Sequence, residues 1–112
     1  MSFGLPQVTF ELIQSVFLKH PEINQVLIYG SRAKGNFRNG SDIDLTLTGK
    51  DITQHLLLLI KLELDELNTP YLFDVSILDQ LDSADLKLHI ARVGQIFYEK
   101  ALEKEKKVVD LF

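Results

Sequence analysis

Apolar residues recur at helical spacing at Phe10, Ile13, Val16 and Phe17, with Leu12 widening the stripe, which predicts a helix from about Pro6 to Lys19. His20-Pro21 ends it, because a residue before proline is pushed out of the helical region. Gln25–Tyr29 is short, β-branched and aromatic, and reads as a strand. Ser31–Lys34 has the form of a short helix stopped by Gly35, and Asn39-Gly40 marks a turn. Asp42–Thr48 then alternates, with Ile43, Leu45 and Leu47 on one face and Asp42, Asp44 and Thr46 on the other. Asp51-Ile52-Thr53-Gln54 has the form of a helix start with Asp51 as N-cap. The helix runs from Ile52 to about Leu67, with Ile52, Leu56, Leu59, Ile60, Leu64 and Leu67 on its core face and Leu57, Leu58 and Leu62 off it. Asn68-Thr69-Pro70 ends that helix.

Tyr71–Leu78 alternates again. Phe73, Val75 and Ile77 share one face; Leu72, Asp74, Ser76 and Leu78 share the other. Ser83 is placed to cap a helix reaching about Val93, with Leu86, Ile90 and Val93 inward and Gly94 as its stop. Gln95–Tyr98 reads as a last short strand. Glu99–Phe112 is charged and ends in Val108, Val109, Leu111 and Phe112; a docked helix and a partner-binding tail are both consistent with it. The alternation of strands and helices predicts an α/β (α+β) fold, a small mixed β-sheet packed with helices.

One connection carries most of the chemistry. Residues 30–44 hold three glycines, two arginines, a lysine and two serines, and close on two aspartates two residues apart. Small residues and backbone N–H groups suit a polyphosphate; paired carboxylates suit a divalent cation. On one strand face the Cα atoms of Asp42 and Asp44 are about 7 Å apart at ~3.3 Å rise per residue. Two carboxylates converging to 4 Å repel by roughly 4 kcal/mol at an effective dielectric of about 20, a penalty that a cation or a proton relieves. Asp-x-Asp taken alone is equally a solvated acidic strand face. Asp74 on a second strand makes a two-ion site of the kind with ions ~3.5–4 Å apart available; read structurally, it is a carboxylate bonded to a backbone amide, Arg32 or Arg38. Arg32 itself is as readily a brace for the loop against a carboxylate.

Other motifs fit less well. Gly30 is followed by Gly35 but not by the Gly-Lys-Ser/Thr of a P-loop, and Leu45-Thr46-Leu47 stand where a calcium loop needs oxygen ligands. A dinucleotide fingerprint is missing. His20, His55 and His89 are scattered, so each is simplest as a surface or helix-end residue. With no cysteine there is no disulfide or thiolate site, and any cation sits on oxygen or imidazole. The 112 residues are 46% hydrophobic, enough for the core of one domain spanning 1–112, with 100–112 as a C-terminal tail. A net charge of −4 argues against direct nucleic-acid binding by bulk electrostatics. The N-terminus lacks a basic start and the longest apolar run is Leu56–Ile60, so a cytoplasmic protein without membrane association is expected.

Gly30-Ser31, ten residues, Asp42-x-Asp44 and a later strand aspartate resemble the signature of the DNA polymerase β-like nucleotidyltransferase superfamily. The fuller string GSRAKGNFRNGSDIDL is similar to its minimal nucleotidyltransferase (MNT) branch. The resemblance implies the nucleotidyltransferase fold, two Mg²⁺ ions and a nucleoside triphosphate, ATP foremost. It implies that Gly30 and Ser31 hold the β- and γ-phosphates, that Asp42 and Asp44 bind both ions, and that Asp74 binds the catalytic ion and serves as general base. Lys34 and Arg38 are weaker candidates for neutralising phosphate charge. In the MNT branch the helical partner is a HEPN protein, often a ribonuclease toxin that the MNT protein silences by transferring AMP to a tyrosine. A chain of this length has no room for the acceptor-binding helical domain of larger members. Three readings follow: a protein adenylyltransferase acting as antitoxin, a non-catalytic antitoxin that works as an interaction module, and the catalytic subunit of a two-subunit transferase for another acceptor. A homo- or hetero-oligomer fits each, with the off-face leucines and the C-terminal apolar residues as contact surface.

Overall fold

The β-branched and aromatic runs form four strands, β1 (Gln25–Tyr29), β2 (Ile43–Thr48), β3 (Phe73–Ile77) and β4 (Gln95–Glu99). Between them lie helices α1 (Gln7–Leu18), α2 (Gly30–Lys34), α3 (Gln54–Asp65) and α4 (Ala84–Val93), with a 3₁₀ turn at Leu78–Gln80. The computed structural model describes residues 3–38 and 40–100. Asn39 of the expected turn and the expected tail, with Val108, Val109, Leu111 and Phe112, lie outside the described residues.

The sheet order is β3-β2-β1-β4. β2 pairs antiparallel with β1 and parallel with β3, while β4 pairs antiparallel with β1. A parallel pair cannot be joined by a tight turn, and α3 supplies the crossover between β2 and β3. One sheet face carries Val26, Ile28, Ile43, Leu45, Leu47, Val75 and Ile77, all buried, and meets α1 and α3 through Ile13, Phe17, Ile60 and Leu64. The opposite face carries Tyr29, on which His89 of α4 stands edge-on with ring centroids 6.3 Å apart. The small mixed sheet packed with helices is thus the observed architecture.

Strand β4 departs from simple alternation. Its register against β1 shifts between Val26 and Leu27, so Phe97 is the extra residue and both Phe97 and Tyr98 are buried. Phe97 lies 4.8 Å from Phe10, 5.9 Å from Phe3 and 6.3 Å from Phe17 between ring centroids. The side chain of Gln14 donates to the Phe97 carbonyl, satisfying backbone that the bulge leaves outside the ladder.

Several boundaries move. The α3 N-cap is Thr53, whose hydroxyl accepts from the Leu56 amide at 3.1 Å, and not Asp51. Both residues are good caps; the later one wins because Ile52, before the helix, is itself buried in the core. Leu57 is buried at 7% exposure while Leu59 is 41% exposed, exchanging their expected places. The face that contacts α1 and β3 is centred on Leu57, Ile60 and Leu64, spaced by three and four, so Leu59 falls at its margin. Leu12 does not widen the α1 stripe but stands 41% exposed. Ser83 caps α4 as expected, accepting from the Leu86 amide at 3.1 Å. Gly94 stops it without a left-handed turn (φ −63°): a Cβ there would lie 2.5 Å from the Ile90 carbonyl oxygen.

His20 is more than a helix-end residue. Its Nε2 lies 2.6 Å from Glu63 Oε1, and Lys19 Nζ lies 3.8 Å from Oε2, so the end of α1 is tied to α3.

The two classes of α3 residue separate in stability. Ile60→Ala, fully buried between helix and sheet, should cost about 2–5 kcal/mol, whereas Leu58→Ala, 57% exposed, should stay within about 0.5 kcal/mol of the parent in urea unfolding.

Candidate active site

The antiparallel register of β1 and β2 sets Tyr29 opposite Asp44, and the parallel register of β2 and β3 sets Asp44 opposite Asp74. One row across three strands therefore reads Tyr29, Asp44, Asp74, with Gly30 following Tyr29 at the end of β1. Asp44 is half-buried; Asp42 and Asp74 are exposed. The next row on this face, Thr46 and Ser76, is closed by a hydrogen bond in which the Ser76 hydroxyl donates to Thr46 Oγ1 at 2.9 Å.

Gly30 is required twice over. Its φ is +72°, a left-handed conformation that side-chain-bearing residues avoid, and a Cβ on it would lie 2.3 Å from Asp44 Oδ2. The glycine thus lets the Asp44 carboxylate rest against the backbone of the turn at the end of β1. Helix α2 starts at this glycine, and its first-turn amides, including that of Ser31, have no acceptor within the helix. Gly35 closes it in a left-handed cap (φ +86°). Lys34 is exposed on α2, and exposed Arg38 donates its amide to Ser41 Oγ at 2.9 Å. The structure thus brings Gly30, Asp44 and Asp74 together, keeps Ser31 one residue after Gly30 and Asp42 two before Asp44, and leaves Lys34 and Arg38 exposed.

The electrostatics follow from this packing. Burial raises the Asp44 pKa above its ordinary value of 3.8, the charges of Asp74 and then Asp42 raise it further, and His89 opposes them. Burial also raises the Tyr29 pKa, helped by Asp74 and Asp44 and opposed by a hydrogen bond with Ser76. Carboxylates crowded in this way favour a bound cation. The donors are oxygen only, which suits a hard divalent ion. Among the described residues no three acidic or imidazole groups already enclose a point that could hold an ion.

Two residues behave otherwise than expected. Arg32 braces the loop, but against carbonyls: Nε and Nη2 donate to the Ser41 oxygen at 3.1 and 3.0 Å, and Nη1 to the Phe3 oxygen at 3.0 Å. The structural alternative for Asp74, a bond to Arg32 or Arg38, is not realised, because the ion pairs among the described residues are those of Glu63 with Lys19 and His20. His89 is no surface residue; it is half-buried, faces Tyr29 and reaches the field of Asp44. The signal for it was present, since His89 lies three residues after Leu86 on the inward side of α4.

The row of Tyr29, Asp44 and Asp74 across three strands thus lies beside a glycine turn on a small α/β scaffold. Residues 11–103 match the family model described as Polymerase beta, Nucleotidyltransferase, and the chain belongs to this family. Members of this family generally use a divalent metal. No curated protein matches the sequence. The fold is similar to a chain of a toxin–antitoxin complex with AMP-PNP, with a TM-score of 0.65 at 18% identity over 90% of this chain and 82% of the other. It is also similar to a chain of the toxin–antitoxin MntA-HepT (TM-score 0.63, 16% identity, 94% and 82% covered). A third likeness is to the structure of the tri-AMPylated Shewanella oneidensis HEPN toxin in complex with MNT antitoxin (TM-score 0.61, 17% identity, 93% and 81% covered). No helix among the described residues is long and apolar enough to cross a membrane.

The raised Asp44 pKa has a stability consequence. In the window between 3.8 and the raised value the folded chain binds more protons than the unfolded one, so stability falls as pH rises through it. Asp44→Asn should therefore raise the melting temperature at pH 7, and the gain should shrink as pH falls through the raised value to 3.8 and below, where protonation of both states removes the difference. Melting curves of both chains at pH 7 and pH 3.5 check this; a variant that melts lower at pH 7 contradicts it.

Proposed function

We propose that this chain is a Mg²⁺-dependent nucleotidyltransferase that moves AMP from ATP onto an acceptor hydroxyl, a tyrosine of a HEPN toxin, and so acts as antitoxin. The observation that carries the reading is the register pairing of Asp44 with Asp74 directly beside Gly30, in a member of the nucleotidyltransferase family. The AMP-PNP and tri-AMPylated complexes among the structural neighbours support adenylate as the transferred group and a HEPN protein as partner.

In this reading the amides after Gly30 and the Ser31 hydroxyl hold the β- and γ-phosphates. Lys34 and Arg38, both exposed, approach them. Asp42, Asp44 and Asp74 would hold two Mg²⁺ ions, which would supply charge neutralisation for the triphosphate and polarisation of the reacting oxygens. Asp74, exposed at the sheet edge, is open to an acceptor and accepts the proton of its hydroxyl as that oxygen attacks the α-phosphorus. The P–O bond to the β-phosphate breaks and pyrophosphate leaves. Positioning and electrostatic stabilisation supply most of the rate. The exposed leucines of α3, Leu58, Leu59 and Leu62, form an apolar strip suited to a helical partner.

Incubation with labelled ATP, Mg²⁺ and the protein encoded beside this one should label that neighbour. Asp42→Ala and Asp74→Ala should lower labelling by on the order of 100-fold or more while remaining folded, the scale lost with one preorganised electrostatic group. Labelling by both variants at the parent's level overturns the metal-site assignment. A triple-aspartate variant that still neutralises its neighbour, with the parent transferring nothing, favours an antitoxin that works by binding. For the contact strip, Leu58→Glu with Leu62→Glu should weaken the complex, read by calorimetry, and leave the melting temperature within about 2 °C, since both side chains are exposed.

A further inference from the structure

We infer that Arg32 is a positioning residue for Asp42: it sets the metal affinity of the site by locking the peptide from which the Asp42 carboxylate projects. The inference rests on the metal-site reading above.

Arg32 is 3% exposed, and no carboxylate among the described residues pairs with it. A buried guanidinium held only by carbonyls and rings is unusual, because buried charges are generally paired. Its donors converge instead on one backbone atom. The Ser41 oxygen accepts from both Nε and Nη2, a forked bond in the plane of the guanidinium. Ser41 is held from its other side as well: its amide donates to the Arg38 carbonyl at 3.0 Å, and its hydroxyl accepts from the Arg38 amide at 2.9 Å. The peptide between Ser41 and Asp42 is thereby fixed in plane and direction immediately before the first acidic residue.

The same side chain spans the rest of the site. Its own backbone lies in α2, two residues after Gly30. Its flat faces meet the rings of Phe37 at 5.0 Å and Tyr71 at 4.9 Å from the centroids, and Tyr71 leads into β3, three residues before Asp74. The third bond reaches the Phe3 carbonyl ahead of α1. The glycine loop, the Asp42 peptide and the approach to Asp74 therefore share one rigid hub. Phe37, Tyr71, Gly4, Gly40 and Pro70 surround it in a cleft of about 210 Å³. Lysine cannot substitute for this geometry, since an ammonium has neither the planar fork nor two flat faces. Asp42 lies outside the strand and is exposed, so nothing in the β ladder fixes it; the Arg32 fork is what does.

The test is Mn²⁺ binding to the full chain by loss of the free-ion electron paramagnetic resonance signal, alongside melting curves without metal. In Arg32→Lys the dissociation constant for Mn²⁺ should rise by about tenfold or more, the scale for removing a group that orients a metal ligand. Tyr71→Leu, which keeps the fork but loses one stacked face, should weaken Mn²⁺ by about threefold and covers the case in which Arg32→Lys fails to fold. Folded Arg32→Lys, or Tyr71→Leu where Arg32→Lys does not fold, binding Mn²⁺ as the parent does overturns the inference and leaves the metal site standing. A parent chain that binds no more Mn²⁺ than Asp44→Asn overturns the metal-site reading, and this inference with it.

Discussion

The site depends on a single register, that of β2 between its two neighbours. Side chains on a strand alternate with a period of two, so a slip of one residue would carry Asp44 into the hydrocarbon core and turn Leu45 out to solvent. Ile43, Leu45 and Leu47 are all fully buried, and their burial holds the register on both sides at once. The hydrophobic effect thus places the acidic row indirectly: the carboxylates stand where they do because the leucines on the reverse face cannot stand anywhere else.

That arrangement sets stability against chemistry. Asp44 loses hydration and gains two carboxylate neighbours, and Gly30 adopts a backbone conformation few residues tolerate. The crowding of Asp44 works against folding of the bare chain, whereas the backbone turn costs glycine no strain and excludes other residues from that position. The surrounding structure offsets that crowding with the aromatic cluster about Phe97, the clamp of His20 on Glu63 and the bonds made by Arg32. Family membership is what favours a metal-site reading of Asp44 and Asp74 over that of a solvated strand face.

The elements were legible in the residues because β2, β3 and each long helix carry a periodic stripe, β1 and β4 are short β-branched or aromatic runs, and Ser83 and Gly94 punctuate α4 as their types suggest. Helix starts were less so: Asp51 and Thr53 are equally good caps in isolation, and burial of Ile52 decides between them. The exchange of Leu57 and Leu59 has the same origin, because a helix rich in leucine on all sides does not declare which stripe meets the core. Gly30, Asp44 and Asp74 stood out as a motif, but their facing register depends on the parallel pairing of β2 with β3 across α3, which no local pattern encodes. Arg32 braces the loop as its position suggests, but its acceptors, a carbonyl nine residues on and another ahead of α1, leave no trace in spacing; His89 falls on the inward side of α4 by its spacing from Leu86, while the ring it meets lies on another element.

The bulge at Phe97 reaches beyond the core it fills. β4 is an outer strand of the sheet, and a straight outer strand is a template on which a second chain can extend the ladder. An extra residue twists the strand and interrupts the even spacing of its outward-facing amides and carbonyls. A chain approaching that side would find few bonds in step with its own. The residue that completes the aromatic cluster therefore also breaks the run of backbone groups on which a further strand would pair.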